Sequence, residues 1–273
     1  MLCPLLPAGK GDICLKIITS KDNPLVKAIT RLKQKKYRNE TGMYMLDGLH
    51  LVKEALHSGQ QPVYLLVDQE RQEQYRTFIA EHAALPWYVL ESRIMKQISS
   101  TESPQGMVAV MPKPQYTLEE VVKPGGLLLI LDQLSDPGNV GTIIRTAWGF
   151  AVDAILMTVG AVDPFNPKVV RSAMGGSLHV PVVEGVTVQQ LQDLKAGGYR
   201  LYGTAASGAI SVYEADYRGA LAIVIGSEAR GLSPAVFACC DVMVAIPGRA
   251  GVDSLNAAVA CGIILCQSWQ CRF

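Results

Sequence analysis

Net charge is almost missing from this 273-residue chain: 25 lysines and arginines face 24 acids, leaving a formal charge of +1. Such a molecule has no global field to draw it to a polyanion, so any nucleic-acid contact has to come from a local patch. Zinc-type spacing is missing too. The seven cysteines stand at Cys3, Cys14, Cys239, Cys240, Cys261, Cys266 and Cys271, with no C-x-x-C pair and no histidine cluster nearby. That pattern predicts no metal site, and it fits reduced, mostly buried thiols in a cytoplasmic protein. No apolar run approaches a membrane span. The start, Met1 to Ala8, is apolar but short, lacks a basic flank and contains two prolines, so it does not read as a signal peptide. Internal repeats and low-complexity tracts are absent as well.

What is present is a large apolar fraction, 49% against 18% charged, enough for a substantial core. The charge is unevenly spread. Between Lys16 and Arg38 stand Lys16, Lys21, Lys27, Arg31, Lys33, Lys35, Lys36 and Arg38 against one acid, Asp22. Leu25, Val26, Ile29 and Leu32 form an apolar stripe at helical spacing, capped by Asp22 or Asn23 with Pro24 in the first turn. The basic residues lie largely off that stripe, on a face directed to solvent or to a partner. A second helix is predicted over Leu49 to His57, strands over Val63 to Val67, Trp87 to Leu90 and Met107 to Met111, and a polar helix over Glu70 to His82. These make a small α/β domain over residues 16–111, after a tail at 1–15. Pro112-Lys-Pro114 and Lys123-Pro-Gly-Gly126 mark residues 112–126 as a linker.

From residue 127 to 273 the pattern becomes that of a doubly wound parallel α/β domain. Leu127 to Leu131 is a continuous apolar run, as a strand covered on both faces requires. Strands are predicted at Ala154–Met157, His179–Val183, Tyr199–Tyr202, Leu221–Ile225 and Val242–Ile246, with helices at Val140–Trp148, Lys168–Met174, Val188–Leu194 and Ser254–Gln267. In such folds ligands bind at loops after strand C-termini. Three such loops carry unusual residues. Asp136-Pro-Gly-Asn-Val-Gly-Thr-Ile-Ile-Arg145 starts with a Pro-Gly turn, predicts Asn139 as helix cap and brings Arg145 out about two turns later. Ile225-Gly-Ser-Glu-Ala-Arg-Gly-Leu-Ser-Pro234 has Gly226, where a ligand can approach the backbone, and Glu228 between glycines. Ile246-Pro-Gly-Arg-Ala-Gly-Val-Asp-Ser-Leu-Asn256 leads into a final helix rich in small residues, which predicts tight packing. Each alone is more often structural: an ion-paired arginine, a capping glutamate.

Taken in order, Asn139 with Arg145, then Gly226, Glu228 and Gly231, then Ile246-Pro247 with Ser254-Leu255-Asn256 resemble the SpoU (TrmH-type) branch of the SPOUT methyltransferases. Asn166-Pro-Lys-Val-Val-Arg-Ser-Ala-Met-Gly175 is also similar to that family. Upstream, Asn23-Pro-Leu-Val-Lys27, Arg38 to Leu56 and Pro104-Gln-Gly106 resemble its substrate-binding extension, a small domain like RNA-binding ribosomal proteins. Two departures are modest: Gly248 stands where many relatives have Met, and Asp47-Gly48 where many have Glu-Gly.

The resemblance implies a trefoil-knotted C-terminal domain, S-adenosylmethionine as cofactor, RNA as substrate and a homodimer formed through that domain. It assigns Gly226, Ile246 and Leu255 to the cofactor pocket, with Thr204 and Ala205 as neighbours. Arg145 becomes the central catalytic residue, acting across the dimer, while Asn139, Glu228, Ser254 and Asn256 complete the polar site. Lys27, Arg31, Lys33, Lys35, Lys36 and Arg38 become the RNA-binding face. Transfer to a ribose 2'-hydroxyl is implied, with ribosomal RNA favoured over transfer RNA by the size of the N-terminal extension. A non-catalytic RNA-binding or ribosome-assembly protein would show decay at Arg145, Glu228 or Asn256, and all are present. A dinucleotide-dependent enzyme would need G-x-G-x-x-G after Leu131, where Asp-Gln-Leu-Ser-Asp-Pro-Gly stands instead. The signature of the sibling guanine-methylating knotted enzymes is not evident.

Overall fold

The structure is a computed structural model that describes residues 17–205, 210–249 and 254–272. The tail at 1–15, Lys16 of the basic run, and Cys3 and Cys14 lie outside the described residues. The chain divides into two compact units, Met1–Lys113 and Pro114–Phe273.

The first unit runs β1 (Ile17–Ile18), α1 (Pro24–Arg31), α2 (Lys35–Thr41), β2 (Met43–Asp47), α3 (Leu49–His57), β3 (Tyr64–Asp68), α4 (Arg76–Glu81), β4 (Trp87–Leu90), α5 (Ser92–Ile98) and β5 (Met107–Pro112). Its sheet has the order β1-β4-β3-β5-β2, with β5 antiparallel to both neighbours. Asn23 caps α1 by accepting the Leu25 N–H at 2.9 Å, and Val26 and Ile29 are buried. The continuous helix predicted from Glu70 to His82 is instead a 3-10 turn at Gln69–Arg71 followed by α4. The break falls at Tyr75, which is buried and donates its hydroxyl to the Gln105 carbonyl at 2.6 Å. Seating that ring takes precedence over an unbroken amphipathic helix.

The second unit runs α6 (Leu118–Val121), β6 (Leu127–Asp132), α7 (Pro137–Gly149), β7 (Ala154–Thr158), α8 (Pro167–Ser172), β8 (Val182–Val186), α9 (Val188–Ala196), β9 (Arg200–Thr204), β10 (Ile210–Ser211), β11 (Leu221–Gly226), α10 (Pro234–Phe237), β12 (Val242–Ala245) and α11 (Ala257–Arg272). Its seven strands are all parallel, in the order β10-β12-β9-β11-β6-β7-β8. Successive β6 side chains feed opposite cores: Leu127, Leu129 and Leu131 pack with α7, α8 and α11, whereas Leu128 and Ile130 pack with α6, α9 and α10. Covering both faces is what makes the run uniformly apolar. Leu118 and Val121 of α6 belong to the second core, so the expected linker at 112–126 contains a packed helix.

Several predicted boundaries move. The strand expected at His179–Val183 is Val182–Val186, because Gly176–Leu178 forms a 3-10 helix and Pro181 has no N–H to donate to a ladder. The last helix starts at Ala257, leaving Ser254 to Asn256 in the preceding loop. Its small residues do not all mean close backbone contact: a Cβ added at Gly262 would lie an ordinary 3.8 Å from Thr146 Cγ2. The tightest helix contact is at Gly141, where an added Cβ would fall 2.5 Å from the Val169 carbonyl and from Ser172 Cβ. Among the described residues no helix is long and apolar enough to cross a membrane.

Candidate active site at the strand C-termini

β6 and β11 are neighbours that end in register, Asp132 beside Gly226, so the loops that follow them emerge together. Asp136, not Asn139, is the N-cap of α7: its carboxylate accepts the Asn139 N–H at 2.8 Å. With the backbone served by an aspartate three residues earlier, the Asn139 side chain is released for other partners. Its amide donates to Glu228 Oε1 at 2.8 Å, and its Oδ1 accepts from Asn256 Nδ2 at 3.0 Å. Asn256 in turn accepts the N–H groups of Ala258 and Val259 at 2.9 and 3.2 Å, capping α11. The capping fixes which end of the Asn256 amide is its donor. That polarity is passed through Asn139 to the carboxylate. One residue from each of the three sequence motifs is thus joined in a single relay.

At Gly226 the side where a Cβ would stand is already taken. A Cβ there would meet the Gly231 carbonyl carbon at 2.4 Å and the Leu232 nitrogen at 2.5 Å, so the chain's own returning loop occupies the space. Glu228 sits on a turn closed by paired hydrogen bonds between Ser227 and Gly231, at 3.0 and 2.8 Å. Thr204 spends its hydroxyl on the Val224 carbonyl at 3.0 Å, and Ala205 spends its N–H on the Val244 carbonyl at 3.0 Å. Both stand at the end of β9 beside β12, which Ile246 follows. Leu255 remains 45% exposed, an apolar side chain left open at the mouth of the loops. Arg145 is exposed, and among the described residues no hydrogen bond or ion pair holds it. Ser254 is also exposed.

The uncovered Leu255 and the half-buried Ile246 suit the apolar face of a nucleoside better than an ion. Among the described residues no group of His, Cys, Asp or Glu is placed to hold a metal. A concavity of about 650 Å³ lies at the opposite, N-terminal edge of the sheet, between Lys123, Asp153, Arg218 and Arg272. Its cations are engaged: Lys123 with Asp153 at 3.0 Å, Arg218 with Asp216 at 2.8 Å and Arg272 with the Tyr217, Gly219 and Gly125 carbonyls.

The basic run in the first unit is less uniform than its sequence suggests. Arg38 is 2% exposed and donates to the Leu32 carbonyl at 2.7 Å, at the C-terminus of α1. It answers an orphan helix carbonyl, so its assignment to an RNA-binding face is corrected. Lys33 donates to the Gln97 and Ser99 carbonyls at 2.8 and 2.7 Å, and desolvation pushes its ammonium below the usual lysine range against the opposing pull of Asp47. Lys27 pairs with Asp22 at 2.8 Å, and Arg31 lies 5.2 Å over the Tyr37 ring. Lys35 is exposed, and Lys36 meets Glu40 only at 3.9 Å.

Residues 126–266, more than half of the chain, match the model of the SpoU rRNA Methylase family. The chain belongs to that family. Residues 23–109 match the MRM3-like substrate binding domain. Among curated SpoU-family relatives, the 23S rRNA (guanosine(2553)-2'-O)-methyltransferase RlmP of Bacillus subtilis (strain 168) is 34% identical over 92% of this chain and 98% of its own. The AdoMet-bound rRNA methyltransferase from Sinorhizobium meliloti superposes with a TM-score of 0.83 at 30% identity, over 94% of this chain and 98% of that one. The SpoU methyltransferase AviRb from Streptomyces viridochromogenes, in complex with AdoMet, gives 0.84 at 26% identity, over 91% and 97%.

Asp132 carried no signal strong enough to be singled out from sequence. It is 1% exposed at the end of β6, and its carboxylate accepts the Ser233 N–H at 2.7 Å and the Thr158 hydroxyl at 2.9 Å. The one hint was a charge ending an otherwise apolar strand.

Proposed function

We propose that this SpoU-family chain transfers a methyl group from S-adenosylmethionine to a ribose 2'-hydroxyl of 23S ribosomal RNA. The observation that carries this reading is the relay Glu228–Asn139–Asn256, which joins the three motifs at the strand C-termini. When bound, the cofactor supplies a sulfonium methyl. Ile246, Leu255 and the backbone of the Gly226 loop would hold it. A ribose hydroxyl is a weak acid, so the protein has to align it and ease its proton away. Arg145, with its fork of N–H donors, orients the neighbouring phosphate and the hydroxyl. Glu228 and Ser254 would hold the sugar, with Asn139 and Asn256 fixing the carboxylate's direction.

Arg145 stands on α7, the helix whose first turn bears Asn139, and it has no partner among the described residues. We read it as acting on the cofactor of a second subunit in a homodimer, with the last segment of the chain threaded as a trefoil knot. The N-terminal unit captures RNA through Lys35 and Lys36, with Arg31 and Lys27 as secondary contacts. Only RNA carries the 2'-hydroxyl, which excludes DNA as acceptor.

Alkaline hydrolysis mapping of RNA treated with enzyme and cofactor tests the chemistry, because a 2'-O-methyl blocks cleavage at its own linkage. A new resistant bond in 23S RNA is expected; methyl label found on a base, with no resistant bond, would overturn the ribose assignment. Mixing Arg145→Ala with Asn256→Ala subunits tests the dimer. Action across the interface rebuilds one intact site per mixed dimer and returns about a quarter of wild-type activity on random exchange. No recovery would place Arg145 in its own subunit's site.

A further inference from the structure

We propose that Asp132 is a positioning residue for the Glu228 turn; the inference rests on the methyltransferase reading for its catalytic consequence and on geometry for its mechanism. A buried carboxylate is costly unless donors meet it. Asp132 has two: the Ser233 N–H at 2.7 Å and the Thr158 hydroxyl at 2.9 Å. Thr158, at the end of β7, also accepts the Gln133 N–H at 3.0 Å. Gln133 itself adopts a positive φ of 54°. The carboxylate therefore ties together the ends of β6 and β7 and the start of α10, which lies directly after the Glu228 turn.

Beyond the Asp132–Ser233 bond, that turn is held by Leu232 packing on the second core and by the Glu228–Asn139 hydrogen bond. Its base is closed by the Ser227–Gly231 pair and pressed onto Gly226, while Glu228, Ala229 and Arg230 are exposed. The Ser227–Gly231 pair sets the shape of the turn without fixing where it stands over the sheet. The Asp132–Ser233 bond supplies that placement, spanning 101 residues of sequence. From there Glu228 reaches Asn139 at 2.8 Å. Asp132 thus acts on the reaction through the turn, without touching substrate or cofactor.

The test uses the full-length protein with Asp132→Ala, Asp132→Asn and Thr158→Val. Three quantities are read: S-adenosylmethionine affinity by calorimetry, amide exchange over residues 227–233 without ligand, and kcat and KM on RNA. Asp132→Ala is expected to keep the wild-type circular dichroism, weaken cofactor binding roughly 10- to 100-fold and speed exchange in that segment. Asp132→Asn should recover most of both, since its Oδ1 can take the Ser233 N–H while its amide donates to the Thr158 oxygen. Unchanged affinity and exchange in Asp132→Ala, or equal damage in Asp132→Asn, overturns the proposal. If Asp132→Ala does not fold, Thr158→Val decides: faster exchange at 227–233 supports the proposal and wild-type exchange overturns it. A wild-type protein that binds no S-adenosylmethionine overturns the methyltransferase reading, and the exchange comparison still decides what Asp132 does.

Discussion

Arg145 and Asn139 share a helix but live in different surroundings, and their substitutions should separate binding from chemistry. Arg145→Ala removes an exposed cation with no partner among the described residues, so the fold and S-adenosylmethionine affinity should stay near wild type. Methyl transfer should fall to background; calorimetry beside a labelled-methyl assay checks both, and wild-type turnover would end the assignment. Asn139 and Asn256 form one hydrogen-bonded chain, so their alanine variants should be strongly non-additive in kcat/KM. Additive losses would mean that the relay does not act as a unit. The thiols differ as well. Burial pushes Cys261 up to about 12, whereas Cys266 is exposed on the same helix. Alkylation of the native protein near about pH 8, read by peptide mass, should label Cys266 and spare Cys261. The expectation of mostly buried thiols holds for Cys239 and Cys261 and fails for Cys266 and Cys271.

At the scale of elements, the basic helices divide by what their side chains have already bonded. Lys35 and Lys36 are the cations of α2 left largely to solvent. Replacing both by Ala should weaken RNA binding and flatten its salt dependence, by about one unit of slope for each phosphate that is no longer neutralised. Lys33→Ala should leave that slope alone and lower stability by about 1 kcal/mol, because its hydrogen bonds go to the Gln97 and Ser99 carbonyls. Salt titrations and denaturant midpoints distinguish the two. Helix and strand identities were largely legible here, since periodicity reports which face is covered. The helix predicted over Leu49 to His57 matches α3, and the Leu127 run is the central strand β6. Missed in the first unit were β1, α2, β2 and α5. The Lys35–Thr41 segment carries almost no apolar stripe, and its one buried side chain is a charged arginine.

For the whole molecule, two compact units predict separable tasks. A fragment starting at Pro114 contains the whole parallel sheet, both of its cores and the Glu228–Asn139–Asn256 relay. It should fold and bind S-adenosylmethionine, while losing most affinity for RNA and most methyl transfer at low RNA concentration. Full activity in the fragment would show that RNA capture does not need the N-terminal unit.

The order of the strongly periodic elements, the parallel class of the second unit and the three motif loops were set by the sequence alone, because each depends on local periodicity or on turn chemistry. Contacts between distant segments were not. The bonds from Asn139 to Glu228 and Asn256 span 89 and 117 residues, and no local pattern specifies which side chain of a motif will be free to make them. Only the folded chain shows that Asp136 takes over the capping of α7, that a returning loop fills the space at Gly226, and that Arg38 turns inward to a helix carbonyl. In each case a polar group or a glycine has several partners of similar chemistry within reach of its type, and close packing of the sheet and its loops decides which one it meets.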